Sequence, residues 1–146
     1  MYYTFIMLKP DAIARNLTEQ IVTKLKNAGL QIAHVQCCKA TPEIIRNHYA
    51  EPIAKYGENF RQNAERYFDG QTVMPMLIGA ERADIISFVR KVVGATDPSK
   101  AAPGTIRGDL GVDSLAASME ENRMCENLIH ASDSPEAVRA ESAIWF

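Results

Sequence analysis

The sequence predicts an α+β fold, in which helices pack against one antiparallel β-sheet. Segments with the pattern of strands alternate with segments with the pattern of helices, and the strands are too few to close a barrel. A chain of 146 residues can bury one core but is too short for two comfortable domains. We therefore expect residues 1–146 to form a single domain.

The chain begins with a strand and a helix. Residues 3–8 are apolar on both alternating faces, which is typical of a central strand covered on two sides. Pro10 ends this strand because it has no N–H to donate to a neighbouring strand. An apolar stripe at helical spacing follows over 17–28, with Asn16 as the expected N-cap and Gly29 at its end.

A second strand and several short helices follow. Residues 30–39 alternate between apolar and polar with one change of phase near Ala33, which predicts a strand with a β-bulge. Thr41, followed by proline and glutamate, has the pattern of a helix N-cap. Helical segments are then expected as far as Phe68, with a break at Gly57.

The second half continues the alternation. Residues 71–79 predict a third strand, although Pro75 lacks an N–H and is expected only at a sheet edge or a bulge. Residues 81–93 predict a helix with one apolar side. Residues 97–109 are rich in proline and glycine, which is typical of a functional loop.

The last elements complete the fold prediction. Residues 110–126 are polar and are expected to be partly helical, and residues 127–130 predict a short strand. Ser134, followed by proline and glutamate, begins a last helix. Four strands in this order predict a ferredoxin-like sandwich, with a four-stranded antiparallel sheet flanked by helices.

Composition excludes several functions. A net charge of −2 and a sequence pI near 5.9 give no basic footprint, so no specific nucleic acid is expected. Cys37, Cys38 and Cys125 lack metal-binding spacing and predict reduced thiols of a cytoplasmic protein. The apolar N-terminus has no basic leader and is too short to span a membrane, so no membrane association is expected.

Of the three histidines, His130 has the position most typical of a catalytic residue, because it lies between a strand end and a helix N-terminus. The free N–H groups of that helix would stabilise an anion. An imidazole is largely neutral at pH 7 and offers a nucleophilic nitrogen when a carboxylate orients the ring. Glu141 is the candidate carboxylate. On position alone, however, a capping or surface role for His130 is the more frequent outcome.

Phosphoryl transfer would require separate cations, because charge spreads over the phosphate oxygens in the transition state. Lys9 at a strand end, Arg90 near a helix C-terminus and Arg107 in the proline-rich loop fit this need. Thr96 and Thr105 could add hydroxyl donors. Each of these residues, taken singly, is more often a solvated charge or a loop cap.

Four sequence blocks together resemble the nucleoside diphosphate kinase family. Residues 127–134 (Asn-Leu-Ile-His-Ala-Ser-Asp-Ser) are similar to the family's active-site signature around its phosphorylated histidine. Residues 5–11 resemble its first strand, and His48 with Tyr49 resembles its nucleotide-contacting pair. Residues 94–98 and 103–109 resemble its phosphate loop. The blocks occur in the family's order and cover nearly the whole chain.

The resemblance implies a function and a role for each matching residue. The chain would transfer the terminal phosphoryl group from a nucleoside triphosphate to a nucleoside diphosphate, by a ping-pong mechanism through a phosphohistidine. His130 would be the nucleophile, with Glu141 and Ser132 holding its ring and the incoming phosphate. The residues implied to bind phosphate are Lys9, Tyr49, Arg90, Thr96 and Arg107, while Asn127 would contact the sugar.

The resemblance also implies how the base and the metal are held. The family stacks the base on a phenylalanine, for which Phe60 is the candidate here and Tyr56 the alternative, because the spacing after Tyr49 is longer than usual. Mg2+ is expected to bridge the nucleotide phosphates, and no carboxylate cluster suggests protein ligands for it. Nucleoside di- and triphosphates are the expected partners, and a homo-oligomer is expected.

Two departures from the family pattern carry expectations. Ala131 stands where glycine usually follows the histidine, and we expect activity to survive unless that position needs a positive φ. About ten additional residues lie between Arg107 and Asn127, and the segment 111–126 is expected beside the nucleotide cleft.

Two other hypotheses remain open at this point. One is a catalytically silent nucleotide-binding regulatory module of the same fold, which would be expected to lack the histidine or a phosphate-binding cation. The other is a ferredoxin-like nucleic-acid binder, which would bind oligonucleotides in a strongly salt-dependent way. The acidic balance of the chain argues against the second.

Overall fold

A computed structural model describes residues 1–146. The strands are β1 (Tyr2–Leu8), β2 (Gln31–Val35), β3 (Cys38–Lys39), β4 (Thr72–Ala80) and β5 (Ile129–Ala131). The α-helices are α1 (Pro10–Ala14), α2 (Thr18–Asn27), α3 (Pro42–His48), α4 (Ala50–Tyr56), α5 (Glu58–Phe68), α6 (Ile85–Val93), α7 (Ile106–Leu110), α8 (Leu115–Glu120) and α9 (Pro135–Trp145). A short 3-10 helix spans Pro98–Lys100.

The strands form one antiparallel sheet in the order β2-β4-β1-β5, and helices cover it. This confirms the predicted α+β sandwich. The sheet has five strands rather than four, because the two-residue strand β3 pairs separately with the start of β4. β1 lies between β4 and β5 and therefore delivers its C-terminal end to the middle of the molecule.

Both faces of β1 are buried, as its apolar pattern predicts. Ile6 and Leu8 belong to a cluster of 17 buried residues that includes the apolar sides of α2 and α6. Phe5 and Met7 belong to a second cluster of nine on the opposite face, which includes Phe68 of α5. The alternation of side chains along a strand explains this division.

Pro75 lies in an interior strand, and the sheet around it explains how proline is tolerated there. The prediction of a bulge near Ala33 is confirmed, since the β2–β4 register shifts between Ile32 and His34. The prediction that Pro75 needs an edge or a bulge is wrong. The carbonyl of Pro75 accepts from the N–H of Gln36 at 3.0 Å. The nitrogen of Pro75 points to the same side of β4 as this carbonyl, towards the gap between β2 and β3, where β4 needs no donor at that position.

Three predicted helix boundaries are confirmed. The Thr41 hydroxyl accepts from a backbone N–H of α3 at 3.2 Å, and the Ser134 hydroxyl accepts from one of α9 at 3.0 Å. Gly57 separates α4 from α5 with a φ of 91°, a conformation that glycine adopts without steric cost.

Two predicted helix starts are wrong. Asn16 does not cap α2 but adopts a φ of 57° in the turn after α1, a left-handed conformation that asparagine tolerates better than most residues. The predicted helix 81–93 begins only at Ile85, and Arg82 and Asp84 form a bidentate ion pair in the turn before it.

The predicted loop 97–109 contains the short 3-10 helix and the start of α7. The Thr105 hydroxyl accepts from the N–H of Gly108 at 2.9 Å, so Thr105 is a helix cap rather than a free donor. No helix of the chain combines the length and the apolar character that crossing a membrane would require.

Candidate active site

A cleft of about 930 Å³ lies beside the C-terminal end of β1 and is bounded by α3–α5 on one side and by α8 and α9 on the other. Its lining includes almost every residue singled out from the sequence: Lys9, Tyr49, Tyr56, Phe60, Arg90, Thr96, Arg107, Asn127, His130 and Glu141. Ser132 lies just behind this lining, 1% exposed.

His130 is held by its Nε2 atom. It stands on β5, and Nε2 lies 2.6 Å from Oε1 of Glu141 on α9. The hydroxyl of Ser132 donates to the same carboxylate oxygen at 2.6 Å. Because a carboxylate only accepts, Nε2 carries the proton in a neutral ring. Nδ1 makes no hydrogen bond within the protein, so its lone pair is available in the cleft.

His48 packs against His130, and a hydrogen bond to its Nδ1 holds its neutral ring in a single tautomer. Its ring lies 4.5 Å from that of His130, centroid to centroid, in a T-shaped arrangement. The indole N–H of Trp145 donates to Nδ1 of His48 at 3.0 Å, so the proton of the neutral ring must be on Nε2. Burial, with His130 and Lys9 nearby, holds the pKa of His48 well below its ordinary value. His48 is therefore a neutral donor, and its buried Nε2 has no partner in the protein.

Lys9 is buried at the end of β1, only 3% exposed. Its ammonium donates to the side-chain oxygen of Asn127 at 2.7 Å and to the carbonyl of Cys125 at 3.1 Å. Burial lowers the pKa of Lys9 to about 8. The charge lacks a carboxylate partner, which leaves it available to an anion in the cleft.

Arg107 joins three parts of the chain behind the cleft. Its guanidinium donates to the carbonyls of Gly94, Asn127 and Ile129. Burial, and secondarily the positive charge of Arg90, lowers the pKa of Arg107 to about 10. Arg90 is exposed and donates to the carbonyl of Ala131 at 2.8 Å. The two guanidinium groups and Lys9 give the inner end of the cleft a positive character.

Asn127, Thr96 and Tyr49 complete this inner end. Asn127 is held on both sides, since its side-chain oxygen accepts from Lys9 and its side-chain nitrogen donates to the carbonyl of Thr96 at 3.0 Å. Tyr49 is 8% exposed, and its ring lies 6.2 Å from that of His130. Burial raises the pKa of Tyr49, so the phenol keeps its proton as a donor.

Asp11 is a site residue that the sequence reasoning did not assign. It is 6% exposed, and its carboxylate accepts from the N–H of Leu128 at 3.1 Å and from the hydroxyl of Tyr67. Leu128 has a φ of 72°, a conformation that costs roughly 1–2 kcal/mol for a residue with a Cβ. Its carbonyl accepts from the backbone N–H of Lys9 at 2.9 Å. This strained residue holds Asn127 and His130 in position on either side of it.

The outer end of the cleft is built differently. Tyr56 is 62% exposed and Phe60 is half-buried, with ring centroids 5.8 Å apart. The segment 111–126 lies opposite them along the same cleft, as expected. Ala131 has no positive φ, and the strain expected from its methyl group is absent.

The residues of the site do not form a magnesium cage. The single grouping of three potential ligands is His48, His130 and Glu141, whose ligand atoms lie within 4.8 Å of one another. Two of these are imidazoles, whereas Mg2+ prefers oxygen ligands. The carboxylate of Glu141 is already bound to His130 and Ser132.

Comparison with known proteins gives consistent matches over the whole chain. The family model described as nucleoside diphosphate kinase matches residues 3–146. The nucleoside diphosphate kinase of Chloroflexus aggregans is 38% identical over 146 residues, which cover 100% of this chain and 87% of that protein. The solved nucleoside diphosphate kinase of Borrelia burgdorferi, a transition-state mimic with vanadate and ADP, has a TM-score of 0.92 at 28% identity, covering 99% of this chain and 86% of that one. The halophilic enzyme of Halobacterium salinarum in complex with CDP has a TM-score of 0.81 at 35% identity, covering 99% and 87%.

Proposed function

The chain belongs to the nucleoside diphosphate kinase family, and on that premise we propose that it transfers the phosphoryl group in two steps through a phosphohistidine on His130. Membership of the family establishes an enzyme that transfers phosphoryl groups between nucleotides. The observation that carries the proposal is the pair of contacts to Glu141, which leaves only Nδ1 of His130 open to the cleft.

In the first step, Nδ1 of His130 attacks the terminal phosphorus of a nucleoside triphosphate. The N–P bond forms as the P–O bond to the β-phosphate breaks, and the nucleoside diphosphate leaves with that oxygen. The ring becomes positive when Nδ1 is bonded to phosphorus while Nε2 keeps its proton. The carboxylate of Glu141, 2.6 Å from Nε2, stabilises this charge.

In the second step, a different nucleoside diphosphate occupies the same cleft and its terminal oxygen attacks the phosphorus on Nδ1. The N–P bond breaks and His130 returns to its neutral form. Lys9, Arg90 and Arg107 neutralise phosphate charge in both steps, and Thr96 and Tyr49 offer further donors. Asn127, which is hydrogen-bonded to Lys9, would contact the sugar.

Mg2+ would enter with the nucleotide and would neutralise part of the charge on its phosphates. The protein offers no cage of oxygen ligands for it, and the positive side chains of the inner cleft favour an anionic magnesium nucleotide over a free cation. Removing Mg2+ with a chelator should stop transfer while leaving the protein folded, which circular dichroism would check.

The base would stack on Phe60 at the outer end of the cleft. Phe60 is half-buried beside Tyr49, with ring centroids 5.9 Å apart, whereas Tyr56 is largely exposed. A flat ring accepts every base, which supports broad nucleotide use. The Halobacterium salinarum relative binds CDP, and this supports nucleoside diphosphates as substrates here.

We also propose a homo-oligomer in the cytoplasm. β2 is an edge strand with an unpaired side, and Val35 on it is 44% exposed. Tyr2 and Tyr3 are 52% and 47% exposed. Exposed strands and aromatic rings of this kind support association between copies of the chain, and the molar mass in solution tests it.

The central test is labelling with γ-labelled ATP and no acceptor. Label should appear on the protein, resist alkali and be lost in acid, as a phosphoramidate is. His130→Gln should take up none, while His34→Gln, at an exposed histidine of β2, should match the parent. Equal labelling of His130→Gln would overturn the assignment. A parent chain that binds ADP but takes up no label would instead support the catalytically silent regulatory module.

A further inference from the structure

The segment 111–126 is a folded wall of the cleft rather than a loose loop. Arg123 forms a bidentate ion pair with Asp113, at 2.6 and 2.9 Å, and the same carboxylate accepts from the N–H of Glu126 at 2.8 Å. Ser114 caps α8 through a bond of 3.1 Å to the N–H of Ala117. Asp113 is 7% exposed in its side chain, and the hydrogen bonds from Arg123 hold its pKa far below the ordinary range.

Three asparagines fix this wall to the opposite side of the cleft. The side-chain oxygen of Asn122 accepts from the amide of Asn59 at 2.9 Å and from that of Asn63 at 3.1 Å. Asn59 and Asn63 are four residues apart on α5, so both face the same way. Asn122 has a φ of 50°, which directs its side chain across the gap from the end of α8.

The wall presents an apolar side chain to the outer cleft. Met119 of α8 is 78% exposed and lines the same cleft as Tyr56 and Phe60, which belong to the other wall. The cleft therefore has exposed apolar side chains on both of its walls. Such a cleft fits a flat, polarisable group better than a charged one, since sulfur packs favourably on aromatic rings.

We infer that α8 forms the second wall of the base-binding end, with Met119 packing on the nucleotide base and Asn122 holding that wall at a fixed distance from α5. This inference rests on the proposed function, which places the phosphates at the inner end. Asn122 acts as a positioning residue. Because methionine is flexible, the wall adapts to purines and pyrimidines, and the larger purine covers more of it.

The test compares ADP with ribose 5-diphosphate, which carries the phosphates and sugar but no base. Binding to the unphosphorylated protein is measured by calorimetry with Mg2+ present. Met119→Ala should weaken ADP binding by about 3–10-fold, the range expected for a lost sulfur–ring contact. It should leave ribose 5-diphosphate binding unchanged. CDP should lose less affinity than ADP.

Two further variants distinguish a specific contact between the wall and the base from a general disturbance of the segment 111–126. Val112→Ala removes an apolar side chain that is equally exposed, at 80%, in the same segment but outside the cleft, and should change neither affinity. Asn122→Gly allows the positive φ but removes the hydrogen bonds to α5. It should weaken the binding of ADP and leave the binding of ribose 5-diphosphate unchanged.

Equal loss of ADP and ribose 5-diphosphate affinity in Met119→Ala, or no loss of either, would overturn the inference. Because the test measures binding, it remains readable even if His130 accepts no label. If the parent is labelled normally but Met119→Ala has the same effect on ADP and on ribose 5-diphosphate, this inference is contradicted while the proposed function is not.

Discussion

The two ends of the cleft differ in construction. At the inner end, Lys9, Arg107 and Asn127 are each less than 10% exposed and hydrogen-bonded to one another or to the backbone around them. At the outer end, Tyr56 and Met119 are 62% and 78% exposed and belong to short helices away from the sheet. The side chains of the inner end are therefore held by hydrogen bonds within the protein, whereas those of the outer end are exposed and can be covered by a ligand.

This difference fits the proposed roles of the two ends. Charge developing on phosphate oxygens is stabilised only by donors that are already oriented, because reorientation would cost free energy during the reaction. A base that only needs a flat apolar contact can be held by adaptable surfaces. We therefore expect changes at the inner end to lower turnover, with a loss of stability where the side chain holds several backbone groups, and changes at the outer end to affect binding alone.

The largest effect is expected for Arg107→Met. The change leaves three carbonyl groups without their donor, which should lower the free energy of unfolding by about 3 kcal/mol. It should also lower kcat/KM about 10³-fold. Urea unfolding and a coupled assay measure the two. Arg90→Met is the control, because Arg90 is exposed and makes a single hydrogen bond. This variant should lose activity but little of the free energy of unfolding. Similar stabilities for the two variants would contradict a structural role for Arg107.

Lys9→Met should lower kcat about 10²–10³-fold yet not destabilise the fold at pH 7. The folded pKa of about 8 lies below the ordinary 10.5, so the buried charge opposes folding. This unfavourable contribution to the free energy of folding is fully present below pH 8. It disappears as the pH rises from 8 to 10.5, because over that range the folded chain has released the proton and the unfolded chain still holds it. The parent should therefore gain roughly 2–3 kcal/mol relative to Lys9→Met between pH 7 and 10.5. A difference that stays constant with pH would refute the buried charge.

Phe60→Ala should raise KM for ADP by roughly 10-fold or more and leave kcat within about twofold, since stacking contributes about 1–3 kcal/mol per base. Tyr56→Ala, at the exposed ring four residues earlier, should have a smaller effect. Initial-rate kinetics distinguish them. The reverse order would identify Tyr56 as the stacking residue.

The smallest effect is expected for Trp145→Phe, which removes the N–H donor to His48 and keeps an aromatic ring in the core. The variant should lose about 1 kcal/mol of the free energy of unfolding, and its kcat should fall a few-fold. NMR of the imidazole nitrogens should show His48 losing its single tautomer. Phe146→Leu, at the exposed neighbouring ring, should leave the tautomer unchanged.

The sequence predicted the inner end better than the outer end for the same physical reason. Phosphate chemistry requires particular side chains, so His130, Lys9 and Arg107 could be proposed as candidates from their type and position, and the resemblance to the family assigned their roles. Asp11 and Trp145 were missed because each acts on the site through one long-range hydrogen bond that no local spacing reveals. At the outer end, the three-asparagine bridge joins residues about sixty positions apart.

Local signals account for the successes and failures in the fold. Thr41, Gly57 and Ser134 have side chains or backbone freedom that decide the conformation of their own turn. Pro75 was judged as if its whole strand had partners on both sides, whereas the gap between β2 and β3 lies where its N–H would point. Pairing across a sheet is set by distant residues and cannot be inferred from one strand.

In the proposed reaction, Glu141 holds one nitrogen of His130 and leaves the other free to accept the phosphoryl group. The direct measurement is NMR of protein labelled with nitrogen-15 in histidine, recorded under alkaline conditions after reaction with ATP. Coupling between nitrogen and phosphorus should assign the phosphoryl group to Nδ1, with the proton on Nε2. A phosphoryl group on Nε2 would contradict the account, because that atom is the one bound to Glu141.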